Sequence, residues 1–324
     1  MPVMLQPDYG LRACNVPEID FSDFLDMDLN ADRARFSRPI VDGSGYANCT
    51  PGGRIRFRSN ATSITFRLFY NNLVTRPDTY NDVSAVLVDG AVFATFTSPG
   101  RVAARKDQTI TFGSEQMRTI ELLLPYCAGV EFQGIQQTPG ALLLPCVPRP
   151  ALSLLALGDS ITHNFSASAA HLSWPFLLGV AKRWQVRNLG YGGRTTVPSD
   201  GTVAGSYGTD FVTVLLGHND FRAQTPLATF KAQQQALQQN LRAANPDCRI
   251  IVITPTWTNV SLAIPIESYR VQIRAAFGEI ADGNALLIEG EPLAGNSTGS
   301  FPDGVHPNDA ASAQMAASIG GSIG

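Results

Sequence analysis

The sequence predicts two architectures in one chain: an all-β sandwich over residues 1–150, then an α/β domain with a parallel sheet over residues 151–324. Three observations carry this. Apolar residues in the first part recur at every second position, as they do in half-buried strands. Pro145, Pro148 and Pro150 crowd one short stretch between the parts. Beyond it, apolar residues come in unbroken runs separated by helical sequence, the pattern of strands covered on both faces.

In the first part, Ile55 and Phe57 alternate with Arg54, Arg56 and Arg58, and Ile64, Phe66, Leu68 and Tyr70 keep the same period. Val86 and Val88 lead into Asp89-Gly90 and then Ala91-Val92-Phe93, and Asp-Gly between β-prone runs predicts a hairpin. Thr109 to Phe112, Thr119 to Leu124 and Val130 to Ile135 read as further strands. Short strands with turn signals every ~8–12 residues suggest a sandwich. Each proline restricts its own backbone and that of its predecessor, so the proline cluster is an extended connector and the domain boundary.

In the second part, Leu152 to Leu157, Asp210 to Leu216 and Ile250 to Ile253 are the apolar runs, with Ala285 to Ile288 as another strand. Leu227, Phe230, Leu237 and Leu241 share one helical face of a Gln-rich segment, whose glutamines are expected on the solvated face. Ala263 to Ile280 and Asn308 to Ile319 read as further helices. Ligands of such sheets sit beyond the carboxyl ends of the strands, so the chemistry belongs where each run stops.

Composition narrows the partners. Lys plus Arg is 24 and Asp plus Glu is 27, a net charge of −3, with no basic block. That speaks against nucleic acid, which needs a concentrated basic face. No apolar stretch approaches the ~20 residues of a membrane span. Met1 to Gly10 lacks a basic segment followed by an apolar core, so no signal peptide is expected. A cytoplasmic protein is the plain expectation, with secretion open through a removed leader; oligomeric state is undecided. Five cysteines, at 14, 49, 127, 146 and 248, include no Cys-x-x-Cys pair. Free buried thiols are expected, with disulfides within the first 150 residues as the alternative. No metal-ligand spacing occurs, and no metal or cofactor is expected.

Four segments stand at strand ends or helix starts. Gly158-Asp159-Ser160-Ile161-Thr162 follows the first run and puts the Ser160 hydroxyl near a helix N-terminus, where backbone N–H groups favour negative charge. Alone it reads equally well as a helix cap, and the Gly-x-Ser-x-Gly elbow is absent because residue 162 is Thr. Asn188-Leu189-Gly190-Tyr191-Gly192-Gly193-Arg194 brings exposed backbone N–H groups. Gly217-His218-Asn219-Asp220 ends the second run, and an asparagine amide can donate to an oxyanion. Asp303-Gly304-Val305-His306 pairs a carboxylate with an imidazole three residues on, as a base for a serine requires.

Together these segments resemble the SGNH, or GDSL, hydrolase family, and the resemblance covers Leu152 to Gly324. It implies a flavodoxin-like three-layer α/β fold, with Ser160 as nucleophile, His306 as base and Asp303 as the acid that orients it. The oxyanion hole it implies is Ser160, Gly193 and Asn219, with Gly190 and Gly192 as alternative registers for Gly193. Ile161 stands where the GDSL name expects Leu. His163, Arg194 and Trp257 are the candidate substrate contacts, with a surface helix position as the alternative for His163 and ordinary core packing for Trp257. His218 is expected behind Asn219.

The order of domains resembles that of family-two carbohydrate esterases, implying a jelly-roll-like N-terminal domain and an ester substrate that is a small molecule or a polysaccharide. Those relatives often use a Ser-His dyad, whereas Asp303 here completes a triad. The expectation is a serine esterase for short acyl groups, acetyl foremost, on a carbohydrate. A general short-chain carboxylesterase, a lysophospholipase or a thioesterase are alternatives within enzymes. A carbohydrate-binding protein without activity is the alternative outside them, against which the full set of Ser160, Gly193, Asn219, Asp303 and His306 argues.

Overall fold

The computed structural model describes residues 10–40, 49–50, 52–73, 82–99, 103–126, 128–163 and 165–324. It divides into two compact units, Met1–Pro148 and Arg149–Gly324.

The N-terminal unit is an antiparallel β-sandwich. One sheet is built around Ser63–Leu73 and Ala128–Gln137. The other is built around Arg54–Ser59, Arg118–Leu123 and Val83–Val88. The alternating residues named above meet in one core: Ile55, Phe57, Ile64, Phe66, Leu68 and Tyr70 are all fully buried in it. The Asp89-Gly90 hairpin forms, with Val88 paired to Ala91. Asp89 and Gly90 both have positive φ, as the favoured two-residue turn requires. Arg56 departs from the simple alternation: it is buried and pairs with Asp20 and Glu121. Four strands before residue 54, Leu11–Arg12, Asp20–Ser22, Asp26–Leu29 and Ala34–Ser37, were not legible, because two to four residues are too few to display a period.

The C-terminal unit carries a parallel sheet of five strands: β1 (Ser153–Gly158), β2 (Gln185–Gly190), β3 (Phe211–Leu215), β4 (Arg249–Ile253) and β5 (Ala285–Ile288). Their order in the sheet is β2-β1-β3-β4-β5, the flavodoxin-like arrangement. Leu154, Leu155, Ala156 and Leu157 of β1 are all fully buried, which is why the run is unbroken. The helices are α1 (Ser160–His163), α2 (Trp174–Lys182), α3 (Ser199–Gly205), α4 (His218–Arg222), α5 (Leu227–Ala244), α6 (Ile266–Ile280) and α7 (Asp309–Ile323). Helix α6 starts later than the apolar pattern suggests. Pro265 holds the residue before it out of helical geometry. Helix α7 starts at its cap, Asn308, whose side chain accepts from the Ala311 N–H at 3.0 Å.

The glutamines of α5 correct one expectation. Phe230, Leu237 and Leu241 are buried as expected, but so are Gln234 and Gln238. Gln234 Nε2 donates to Thr196 Oγ1 at 2.9 Å, so a polar stripe of this helix faces inward where it has a partner. Among the described cysteines, Cys14, Cys49, Cys146 and Cys248 are free, and Cys146 is half-exposed rather than buried; Cys127 lies outside the described residues.

Candidate active site

The site grows from the end of β1. Asp159, the first residue beyond the strand, is buried, and its Oδ1 accepts the Ile161 N–H at 2.9 Å. This local turn puts Ser160 at the first position of α1, half-buried, with its carbonyl accepting the Phe165 N–H at 3.0 Å.

His306 reaches Ser160 from the loop that precedes α7. Its Nε2 lies 2.8 Å from Ser160 Oγ, and its Nδ1 lies 2.6 Å from Asp303 Oδ2. The other Asp303 oxygen accepts the backbone N–H groups of Val305 and His306 at 3.0 and 2.8 Å. Partial burial pushes the Asp303 carboxyl up, but the His306 ring and these N–H groups outweigh it and hold the group well below the usual carboxylate range. Asp303 is therefore charged at neutral pH. The Phe165 ring packs against the imidazole, centroids 4.7 Å apart. A hydroxyl against an imidazole whose second nitrogen meets a carboxylate is the arrangement that base-assisted nucleophilic attack requires.

Beyond β2 the chain makes a tight turn, closed by the Arg194 N–H to the Tyr191 carbonyl at 3.1 Å. Gly193 occupies its third position with φ of 78°, which favours glycine. A Cβ built there would meet nothing within 4 Å, so the Gly193 backbone borders open space. Gly190 differs: its Cβ would lie 2.2 Å from the His163 backbone nitrogen, so that glycine serves packing of β2 on α1. Asn219, on α4, directs Nδ2 to the Arg194 carbonyl at 3.1 Å and to Asp159 Oδ2 at 3.3 Å. Its neighbour Asp220 accepts the Thr196 N–H and hydroxyl at 2.9 and 3.1 Å, tying the Gly193 turn to α4.

Residues 156–314 match the sequence model of the GDSL-like lipase/acylhydrolase family. The C-terminal unit belongs to this family. The protein is accordingly a carboxylic ester hydrolase. No curated protein matches the chain. Among solved structures it is similar to the salicylyl-acyltransferase SsfX3 of a tetracycline biosynthetic pathway, with 18% identity, TM-score 0.82, and coverage of 96% of this chain and 95% of that one. A family-two carbohydrate esterase from Clostridium thermocellum, in complex with cellohexaose, is 15% identical with TM-score 0.71 over 94% of this chain and 98% of that one. The corresponding enzyme from Cellvibrio japonicus is 16% identical with TM-score 0.72, covering 96% of each chain. At such identities these likenesses speak for the fold.

The remaining candidates of this GDSL-like hydrolase fall elsewhere. His163 is fully buried on α1, so it is neither the surface residue nor the pocket-lining residue expected. Arg194 forms a two-pronged ion pair with Asp200, at 2.8 and 2.7 Å. Its guanidinium is committed to α3 rather than turned to substrate, and it braces the turn that holds Gly193. Trp257 is half-buried, with its ring 5.6 Å from that of Phe301, packed on the core of the unit. The buried Arg270 of α6 fixes the segment before Trp257 by donating to the Pro255 and Thr256 carbonyls at 3.0 and 2.8 Å. His218 is 4% exposed, and burial pushes its pKa down to about 4, so it is neutral at neutral pH. Asp159, Phe165 and Arg270 were missed; Asp159 stood inside the Gly-Asp-Ser signal itself. Among the described residues no cluster of His, Cys, Asp or Glu is placed to hold a metal ion.

Proposed function

We propose that this hydrolase is a serine esterase that removes short acyl groups, acetyl foremost, from carbohydrate hydroxyls through an acyl-enzyme. The observation that carries the reading is the unbroken relay from Ser160 Oγ to His306 Nε2, 2.8 Å, and from His306 Nδ1 to Asp303 Oδ2, 2.6 Å. His306 takes the Ser160 proton as Oγ attacks the ester carbonyl. Asp303 keeps the imidazole in the tautomer with its proton on Nδ1 and stabilises the imidazolium. The N–H groups of Ser160 and Gly193 and the amide of Asn219 receive the oxyanion. The alcohol leaves with the proton from His306; water then repeats the sequence on the acyl-enzyme and releases the acid.

The carbohydrate part of the reading draws on the esterases of Clostridium thermocellum and Cellvibrio japonicus, whose folds extend over almost the whole chain. The likeness to SsfX3 favours a second reading, in which an alcohol rather than water takes the acyl group. A substrate panel tests all of this: aryl esters from acetyl to dodecanoyl, acetylated xylan and acetylated sugars, with free acid measured as product. Each methylene is worth about 1–3 kcal/mol in a fitted pocket, so activity should decline gradually, best from acetyl to butyryl and falling beyond about C6 to C8. A preference for decanoyl or longer esters refutes the carbohydrate reading. Acyl transfer to added sugar or alcohol in place of acid release selects the second.

A further inference from the structure

Asn219 is the only proposed oxyanion donor supplied by a side chain, and a side-chain donor must be held in place to be of use. Two acceptors hold it: Nδ2 faces the Arg194 carbonyl at 3.1 Å and Asp159 Oδ2 at 3.3 Å. With both acceptors on the nitrogen side, the amide cannot exchange its oxygen and nitrogen without facing like against like. Asp159 is itself fixed, because Oδ1 accepts the Ile161 N–H at 2.9 Å and its carbonyl accepts the His163 N–H at 2.9 Å. The carboxyl group is thus held rigidly between the start of α1, which carries Ser160, and α4, which carries Asn219.

We propose that Asp159 is a positioning residue: its buried carboxylate keeps one Nδ2 hydrogen of Asn219, so that the other, given to the Arg194 carbonyl in the free protein, turns to the oxyanion. This rests on the proposed role of Asn219. The anchor is sensitive to charge, because an ionised carboxylate is a stronger acceptor than a protonated one. Burial pushes the Asp159 carboxyl up to about 7, although the Ile161 N–H and the charge of His306 pull it down; Asp220 of α4 pushes it up. Nearby Arg194 turns its guanidinium to Asp200 and its carbonyl to Asn219. His218, next to Asn219, is neutral in this range. The anchor is therefore at full strength above about pH 7 and weakens as the pH falls through that value.

A double-mutant cycle on the full chain tests the link, with an aryl acetate as substrate. Asp159→Asn should lower kcat about 10- to 30-fold with KM nearly unchanged, and should cost less than about threefold when Asn219 is already Ala. Equal losses in both backgrounds, or no loss in either, overturn the proposal. If Asn219→Ala costs less than about threefold, the oxyanion role of Asn219 falls and this inference falls with it. A large Asn219→Ala loss with additive effects sinks the inference alone. The second measurement is the pH profile: protonating Asp159 should weaken the wild type about 10- to 30-fold, so kcat should show a partial step near pH 7 that is absent from Asp159→Asn, a change that a purely structural role would not produce. The same profile in wild type and Asp159→Asn overturns the anchor.

Discussion

Replacing Asp303 by Asn probes the relay with little change of shape. Asparagine keeps an oxygen for the Val305 and His306 N–H groups, now accepted at 3.0 and 2.8 Å, so the loop before α7 should stay in place. What changes is the face turned to His306 Nδ1, 2.6 Å away, which becomes an N–H donor instead of an acceptor. The imidazole must answer with a lone pair on Nδ1, which moves its proton to Nε2 and points it at Ser160 Oγ. The base is then in the wrong tautomer. A buried acid treated this way in a serine protease loses about 10⁴ in kcat. The Asp303 side chain is 38% exposed, so water competes for His306 Nδ1 and restores part of the working tautomer. The expected loss is therefore smaller, about 10²- to 10³-fold in kcat/KM, or about 3–4 kcal/mol of barrier. Steady-state hydrolysis of an aryl acetate by Asp303→Asn, with thermal unfolding as the check on folding, measures it. A loss below about tenfold would refute the triad and mean that another acceptor orients His306, as in a dyad enzyme.

Two further substitutions test other parts of the site. Gly193→Ala puts a side chain at φ of 78° and into open space, so it should cost about 1–2 kcal/mol of stability, a fall of several degrees in Tm. If the Gly193 N–H serves the oxyanion, kcat/KM should fall by more than about tenfold as well; loss of Tm alone would remove Gly193 from the oxyanion hole. His218 is held neutral down to about 4, whereas an unfolded histidine titrates near 6.5, so the unfolded chain binds the extra proton between these values and stability falls as the pH drops through that window. By pH 5 the loss should be about 2 kcal/mol, seen in urea titrations and absent from His218→Leu; an equal acid loss in the variant would place its cause elsewhere.

The strongest signals in the sequence were those whose physics is local. Unbroken apolar runs report burial on both faces, and β1, β3 and β4 were legible for that reason. β2 was harder to read, since Gln185-Val186-Arg187-Asn188 mixes polar with apolar residues on a strand at the edge of the sheet. Gln234 was misread because periodicity identifies which residues share a face and not whether that face has a polar partner, and its partner, Thr196, is 38 residues away. The register at Gly193 had the same difficulty. Three glycines in four residues are equivalent as text, and only the close approach of Gly190 to α1 and the open space beside Gly193 separate them. Asp159 was overlooked as an ordinary member of a motif; its contact with Asn219 spans 60 residues of sequence.

The strand order explains why these distant segments converge. β1 lies between β2 and β3, so the residues that follow these three neighbouring strands, Ser160, Gly193 and Asn219, emerge side by side at one edge of the sheet. The chain crosses from β1 to β2 on one side and then back past β1 to β3 on the other, and such a reversal opens a crevice at the carboxyl end of the sheet. Everything proposed to receive the oxyanion therefore stands at the carboxyl ends of three neighbouring strands. Side chains from three helices brace it further: Asp200 of α3 holds Arg194, while Asp220 of α4 and Gln234 of α5 hold Thr196. The proposed base arrives differently. His306 comes from a loop, held by Thr258 Oγ1 donating to the Gly304 carbonyl at 2.8 Å and by the Ser168 hydroxyl donating to Asp309 at 2.6 Å. Electrostatic stabilisation of a developing charge demands donors that do not reorganise, whereas a base must approach the serine and then turn its proton toward the leaving alcohol. On this proposal the strand ends supply the donors and a tethered loop supplies the base.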